Sequence, residues 1–142
     1  MFQHWKTYAF MSALFAGLTA IFAKIGVKNI PSNYATFLRT LIIVIFLALL
    51  VEARREWINP LSLDKRSLIF LLLSGIATGL SWLCYFRALQ IGPASLVAPI
   101  DKLSLVFVVV LSVVFLGERL GLSQWIGVFL MSAGAILIMR GV

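Results

Sequence analysis

Five apolar stretches, each close to twenty residues long, dominate the sequence. They run over residues 8–27, 33–51, 68–89, 93–116 and 123–140. A helix needs about 20 apolar residues to cross the hydrocarbon core of a bilayer, so each stretch has the length of one span. The chain is 62% hydrophobic and 12% charged, and its 142 residues leave no room for a soluble domain. The sequence therefore predicts an all-α integral membrane protein, a single domain over residues 1–142 with five transmembrane helices.

The charged residues and the single cysteine argue against several classes of protein. The net charge is +7, but the basic residues sit at the ends of the apolar stretches, a pattern typical of membrane insertion, so we expect no nucleic-acid partner. His4, beside Trp5 and Lys6, is expected at the membrane interface, and Cys84 has no second cysteine to pair with. The sequence shows no catalytic or metal-binding cluster. We predict that the protein is not an enzyme and needs no cofactor or metal ion.

Basic residues also predict the orientation of the chain in the membrane. The loop at residues 52–67 carries Arg54, Arg55, Lys65 and Arg66. With alternating spans, six basic residues fall on the side of this loop and of the N-terminus, and four fall on the opposite side. Since Lys and Arg are enriched in cytoplasmic loops, we expect a cytoplasmic N-terminus in the cytoplasmic (inner) membrane.

The fourth stretch carries a proline, an acid and a base inside a span. A charged residue in hydrocarbon costs about 2.5–3.5 kcal/mol on insertion scales, so Asp101 is a candidate proton or substrate site and Lys102 a candidate substrate contact. The alternative is structural pairing, for instance with Arg39. Neighbouring helical residues point about 100° apart, so we expect Asp101 and Lys102 to face different partners. Pro99 predicts a kink or a functional hinge, because it leaves the carbonyl of Ser95 without its helical donor.

Three further basic residues come from the same half of the membrane as Asp101 and Lys102. Lys24 lies near the end of the first span, Arg39 about two turns into the second, and Arg87 near the end of the third. Together these charges predict a basic vestibule that attracts an anionic or zwitterionic solute. The alternative is that the long basic side chains simply reach the membrane surface.

Small residues indicate where helices pack. Gly75 and Gly79 form a small-xxx-small pair in the third span, and Gly17 belongs to a row of small residues in the first. Such residues let helix backbones approach closely in lipid. We therefore assign Gly17, Gly75 and Gly79 to helix packing.

Several short motifs resemble those of one known family. They are Phe86-Arg87-Ala88-Leu89, Gly92-Pro93-Ala94-Ser95, Ala98-Pro99, Leu116-Gly117-Glu118-Arg119, Trp125-x-Gly127 and Ala133-Gly134. On these motifs the chain resembles one EamA-type repeat of the drug/metabolite transporter superfamily, in which Arg39 falls where such repeats often carry a basic residue. The run at residues 98–104 is similar more specifically to the five-helix, single-repeat bacterial and archaeal branch.

The resemblance implies a solute carrier. Larger members of the superfamily hold two such repeats, inverted relative to each other. A single repeat would need a second copy of opposite orientation, in an antiparallel homodimer, or a homologous partner in a heterodimer. The small bias in basic residues is compatible with both orientations of the chain.

These observations predict a secondary carrier of a small metabolite or drug-like solute. We expect the solute to bind near the midplane among the first four spans and to cross by alternating access. Proton coupling through Asp101 is a further hypothesis. The alternative is a non-transporting membrane subunit that assembles with or stabilises another membrane protein, since small-residue faces also serve hetero-assembly. The expected partners are thus a small-molecule solute, the lipid bilayer and a second chain.

Overall fold

The computed structural model describes residues 4–140, apart from the side chains of His4 and Leu61. The interfacial position expected for the His4 side chain therefore lies outside the described residues. Across residues 4–140 the chain is helical and contains no strand. The helices are α1 (His4–Gly26), α2 (Ser32–Arg54), α3 (Lys65–Ile91), α4 (Ala94–Asp101), α5 (Ser104–Leu116) and α6 (Leu122–Arg140), with a short 3₁₀ helix at Pro60–Ser62.

Five segments within the described residues are long and apolar enough to cross a membrane. Helices α1, α2, α3 and α6 each provide one span, and α4 and α5 together provide the other, from Ala94 to Leu116. The predicted fold class, an all-α integral membrane protein with five spans, is confirmed.

The first compact unit ends at Ile91 and contains α1, α2 and α3. Helix α3 packs against both α1 and α2. The buried side chains come from the C-terminal part of α1 and the residue after it, the N-terminal part of α2 and the C-terminal part of α3. They are Ala20, Val27, Ser32, Ala35, Thr36, Phe86 and Leu89. We call this region the packed end of the unit, and it is where the candidate site lies.

The short connection between α1 and α2 forms part of the packed end. Pro31 adopts φ −55° and ψ 133°, and its carbonyl accepts a hydrogen bond from the amide of Ala35 at 3.0 Å. The buried hydroxyl of Thr36 donates to the carbonyl of Ser32 at 2.9 Å. This bond avoids the cost of burying an unpaired hydroxyl. The start of α2 can therefore be buried against its neighbours although it carries polar residues.

The second compact unit starts at Gly92 and contains α4, α5 and α6. Helix α6 packs against both α4 and α5, and it buries Ala135. Gly117 ends α5 with a φ of +67°, a left-handed conformation that glycine adopts without steric cost.

The sequence predicts one helix over residues 93–116, but the structure interrupts it at Lys102 and Leu103. The amide of Lys102 donates to the carbonyls of Pro99 at 3.1 Å and Ala98 at 3.3 Å, and the amide of Leu103 donates to that of Ile100 at 2.9 Å. A proline removes one hydrogen bond from the preceding turn, and the chain responds here with tighter three-residue hydrogen bonds. The irregular turn therefore follows Pro99 instead of centring on it.

The three glycines assigned to packing face open space. A Cβ atom added at Gly17, Gly75 or Gly79 would meet no heavy atom of the described chain within 4 Å. Close helix approach at these positions stays a prediction.

Candidate functional site

Arg39 lies in α2 with its guanidinium over two aromatic rings of α3. The guanidinium carbon is 4.2 Å from the centre of the Trp82 ring and 5.4 Å from that of the Phe86 ring. Trp82 and Phe86 are four residues apart, so they lie on the same face of α3. Stacking of this kind stabilises a cation by about 0.5–2 kcal/mol, more when water is excluded. The side chain of Arg39 is half-buried, and it is held by aromatic faces.

The hydrogen-bonding capacity of Arg39 is unused by the described chain. Within residues 4–140, no carboxylate lies within salt-bridge distance of the guanidinium, and no hydrogen bond from its N–H groups reaches a protein acceptor. A guanidinium carries five N–H donors in one plane. The guanidinium contacts the faces of the two rings, and its N–H groups are left for another partner.

A cavity of about 500 Å³ lies beside this arginine. Arg39 and Phe86 line it together with residues from the second half of α1 and the first half of α2, among them Thr19, Phe22 and Leu38. The lining is mostly apolar, with Arg39 as its one cation. We call it the Arg39 cavity.

A second, polar groove of about 750 Å³ opens at the packed end. It is lined by residues 28–33 together with Arg87 and Gln90. Two cations, Lys28 and Arg87, give it a positive character. Ile30 lines both this polar groove and the Arg39 cavity, so the two spaces adjoin at that residue.

Gln90 connects α3 to the turn after α1. Its amide nitrogen donates to the carbonyl of Ile30 at 2.9 Å and lies 3.4 Å from that of Val27, while its oxygen accepts from Arg87 at 2.8 Å. The sequence analysis did not single out Gln90. The available signal was a polar side chain at the end of an apolar span, three residues after Arg87.

Lys24 makes a second connection between the same helices. Its ammonium donates to the carbonyl of Leu89 at 2.6 Å, near the C-terminus of α3, where helix carbonyls and the helix dipole favour a cation. Neither the vestibule hypothesis nor the surface hypothesis included this contact. Lys24 therefore helps to tie α1 to α3, and any role in solute binding stays a prediction.

Asp101 and Lys102 pair with each other. The ammonium of Lys102 lies 3.4 Å from a carboxylate oxygen of Asp101, with the two side chains 55% and 36% exposed. The expectation that they face different partners was wrong. It assumed a continuous helix, whereas α4 ends at Asp101 and Lys102 lies in the tight turn that follows. Pro99 lies inside α4, two residues before that helix ends.

Residues 4–140 contain no group of three or more His, Cys, Asp or Glu side chains placed to hold a metal ion. What the arrangement can do is bind: it presents a stacked cation at the wall of an apolar cavity and two further cations at the adjoining groove.

Comparisons with known proteins bear on the whole described chain. A model of the EamA-like transporter family matches residues 4–140. A protein of Sinorhizobium sp. named "Uncharacterized transporter in cobO 3′ region" is 51% identical over 138 residues, which cover 97% of this chain and 98% of the relative. An uncharacterized protein of Methanocaldococcus jannaschii is 30% identical over 126 residues, 89% of each chain. No solved structure matches the chain significantly.

Proposed function

The chain belongs to the EamA-like transporter family, and on that premise we propose that it is a secondary carrier of a small metabolite or drug-like solute. The family match confirms the resemblance indicated by the sequence motifs, and the relative from Sinorhizobium is itself named as a transporter. The chain is accordingly a multi-pass membrane transporter. Membership of a transporter family also supports the prediction that it is not an enzyme.

The observation that carries the carrier proposal is Arg39 beside its cavity. A charge inside a membrane span is costly, and the default explanation for keeping one is a functional role. Arg39 has no carboxylate partner within residues 4–140, and the space next to it, about 500 Å³, falls in the range of about 300–1,000 Å³ typical of small-molecule sites. We infer that the solute contacts Arg39.

A dimer would supply the second half of the transport pathway. Secondary carriers alternate access by rocking one repeat against another around a site near the bilayer midplane. This chain has five spans and one repeat, so the second repeat would come from another copy in the opposite orientation or from a homologue. The open space at Gly17, Gly75 and Gly79 supports contact with such a partner.

Coupling to protons is proposed to involve Asp101. The carboxylate lies 3.4 Å from the ammonium of Lys102 inside a membrane span, where an ionisable pair is a candidate for ion coupling. Protonation of Asp101 would release Lys102 from the pair, which gives the turn after α4 two charge states. The N-terminus is proposed to be cytoplasmic, in the cytoplasmic (inner) membrane, from the distribution of basic residues.

Transport by the reconstituted protein tests the proposal. Liposomes containing the purified chain would be offered a panel of small carboxylates, amino acids and amines, with uptake followed by tracer and by current on a solid-supported membrane. We expect uptake of at least one member, lost in Arg39→Gln. Arg66→Gln is the matched control, because Arg66 also lies over a ring, that of Phe70 at 6.0 Å, on the opposite end of α3.

The outcomes separate the two hypotheses on function. No uptake of any panel member by well-folded protein, together with one stoichiometric membrane partner in cell extracts, would replace the carrier by the non-transporting subunit. Asp101→Asn tests coupling separately: unchanged proton movement during uptake would remove Asp101 from that role.

Orientation is tested by a C-terminal tag probed from each side of the membrane in intact cells. Labelling from both sides is expected for an antiparallel homodimer. Labelling from one side would contradict that dimer and leave the heterodimer with a homologue.

A further inference from the structure

The Arg39 cavity combines one cation with an apolar lining. Thr19 contributes a hydroxyl, and the remaining lining residues are hydrocarbon, glycine or aromatic. No acidic side chain among the described residues lines this space. A ligand would therefore find one site for negative charge, no carboxylate for an ammonium group and a wall suited to an apolar body.

The geometry of Arg39 favours a planar anion. The rings of Trp82 and Phe86 hold the guanidinium at the cavity wall, and its N–H edge has no hydrogen-bond acceptor within residues 4–140. A carboxylate matches that edge with two parallel hydrogen bonds, which a point charge such as lysine does not offer. The rings therefore stabilise the cation at the cavity wall, and its own N–H groups offer the bidentate contact.

We propose that the Arg39 cavity binds an amphipathic organic monoanion, a carboxylate whose apolar body occupies the space between α1 and α2. The proposal rests on the carrier function above and names its substrate class. A single cation at the wall fits a single negative charge, and the absence of an acid from the lining disfavours amines and zwitterions. A neutral solute would leave the guanidinium edge unpaired, which is costly in a partly dehydrated site.

The adjoining polar groove also favours a negatively charged ligand. It carries Lys28 and Arg87 and meets the cavity at Ile30. A concave surface lined by charges of one sign raises the local concentration of the opposite ion. An anion arriving from water would thus be drawn toward the cavity entrance before it meets Arg39.

Binding by three matched probes tests the substrate class. The full chain, in nanodiscs of phosphatidylcholine, would be titrated with 3-phenylpropanoate, its neutral amide 3-phenylpropanamide and the cation 3-phenylpropylammonium. Empty nanodiscs give the correction for partition into lipid. We expect saturable binding of the anion and binding of the amide and of the cation weaker by about tenfold or more, the usual scale of loss when a charge-assisted pair is missing.

Variants locate the binding in the cavity. Arg39→Gln is expected to weaken binding of 3-phenylpropanoate by about tenfold or more, and Arg39→Lys to give an intermediate loss, because lysine keeps the charge without the planar fork. Arg66→Gln should bind as the wild type does. Far-UV circular dichroism and the unfolding midpoint of each variant show that the fold is intact.

Each alternative outcome decides between proposals. If the amide or the cation binds as tightly as 3-phenylpropanoate, or if folded Arg39→Gln binds 3-phenylpropanoate as the wild type does, the proposal of a carboxylate substrate is wrong. The carrier function would still hold in that case if another panel member is taken up. Saturable binding of 3-phenylpropanoate, without uptake of any solute into liposomes, would confirm the binding site and contradict the carrier function. If added phosphatidylglycerol abolishes 3-phenylpropanoate binding and added phosphatidylcholine does not, the cavity binds an anionic lipid. That result would contradict the proposal that its ligand is a small solute.

Discussion

Gln90 is the residue whose removal should loosen the packed end most directly, and its own side chain does not line the Arg39 cavity. Its amide donates to the carbonyl of Ile30 at 2.9 Å, a good hydrogen bond, while the contact with Val27 at 3.4 Å is too long to add much. A hydrogen bond contributes about 0.5–1.5 kcal/mol net, and side-chain bonds within membrane proteins average about 0.6 kcal/mol.

Replacing Gln90 with leucine removes this donor and leaves the carbonyls at the end of α1 without their partner. We expect the free energy of unfolding to fall by about 1 kcal/mol, the sum of one good bond and one weak contact at these magnitudes. Reversible unfolding in mixed dodecylmaltoside and dodecylsulfate micelles, followed by circular dichroism, measures this change.

Two further variants identify which atoms are responsible. Gln90→Glu keeps an acceptor for Arg87 but has no N–H for the carbonyls, so it should lose at least as much stability as Gln90→Leu. Arg87→Met removes only the exposed 2.8 Å bond to the Gln90 oxygen and should cost less than about 0.5 kcal/mol. Equal losses in Arg87→Met and Gln90→Leu, or no loss in either Gln90 variant, would refute the role assigned to the amide.

Three further predictions concern the second unit. Gly117→Ala should destabilise the protein by about 1–2 kcal/mol in the same unfolding assay, because φ is +67° there, whereas Gly127→Ala adds a Cβ atom that meets no described atom within 4 Å and should cause no loss; equal effects would contradict this. Pro99→Ala should let α4 continue through residues 102–103 and slow amide hydrogen exchange in that segment; unchanged exchange would show that the proline does not cause the interruption. Asp101→Asn and Lys102→Met should each lower stability by less than about 1 kcal/mol, since the pair is substantially exposed; a loss of several kcal/mol would reveal a pair shielded from water in the membrane.

The sequence predicts the membrane spans well because the forces that form each span act within a single segment of the chain. An apolar run of bilayer length leaves few alternatives to a transmembrane helix, since the backbone must satisfy its hydrogen bonds within the segment. The interruption in the fourth span is harder to place. Pro99 predicts an irregularity in the helix. Whether the helix kinks at the proline or forms a tight turn at Lys102 depends on small energy differences between hydrogen-bond patterns.

The candidate site is only partly readable from the sequence. Arg39 stands out because a charge in a span is rare, whereas its ring partners Trp82 and Phe86 resemble any other aromatic residues of a membrane helix. Gln90 carries no charge, and the carbonyl that it binds belongs to Ile30, 60 positions earlier. Backbone acceptors have no residue signature, so a contact of this kind becomes visible only when the helices are placed in space.

Within the three-helix unit, the described side-chain hydrogen bonds between helices lie at the packed end. Lys24 and Gln90 bind backbone carbonyls across helices at the packed end, and every buried side chain described in α1 to α3 lies there. Gly75, in the middle of α3, has no protein neighbour at its Cβ position. In lipid, helices associate through close packing, so in the proposed dimer the surface around Gly75 is a candidate contact for the second copy. Such docking would leave the Arg39 cavity at the packed end, and in the proposed carrier alternating access would then require the partner to move against this unit while the arginine keeps its contacts with Trp82 and Phe86.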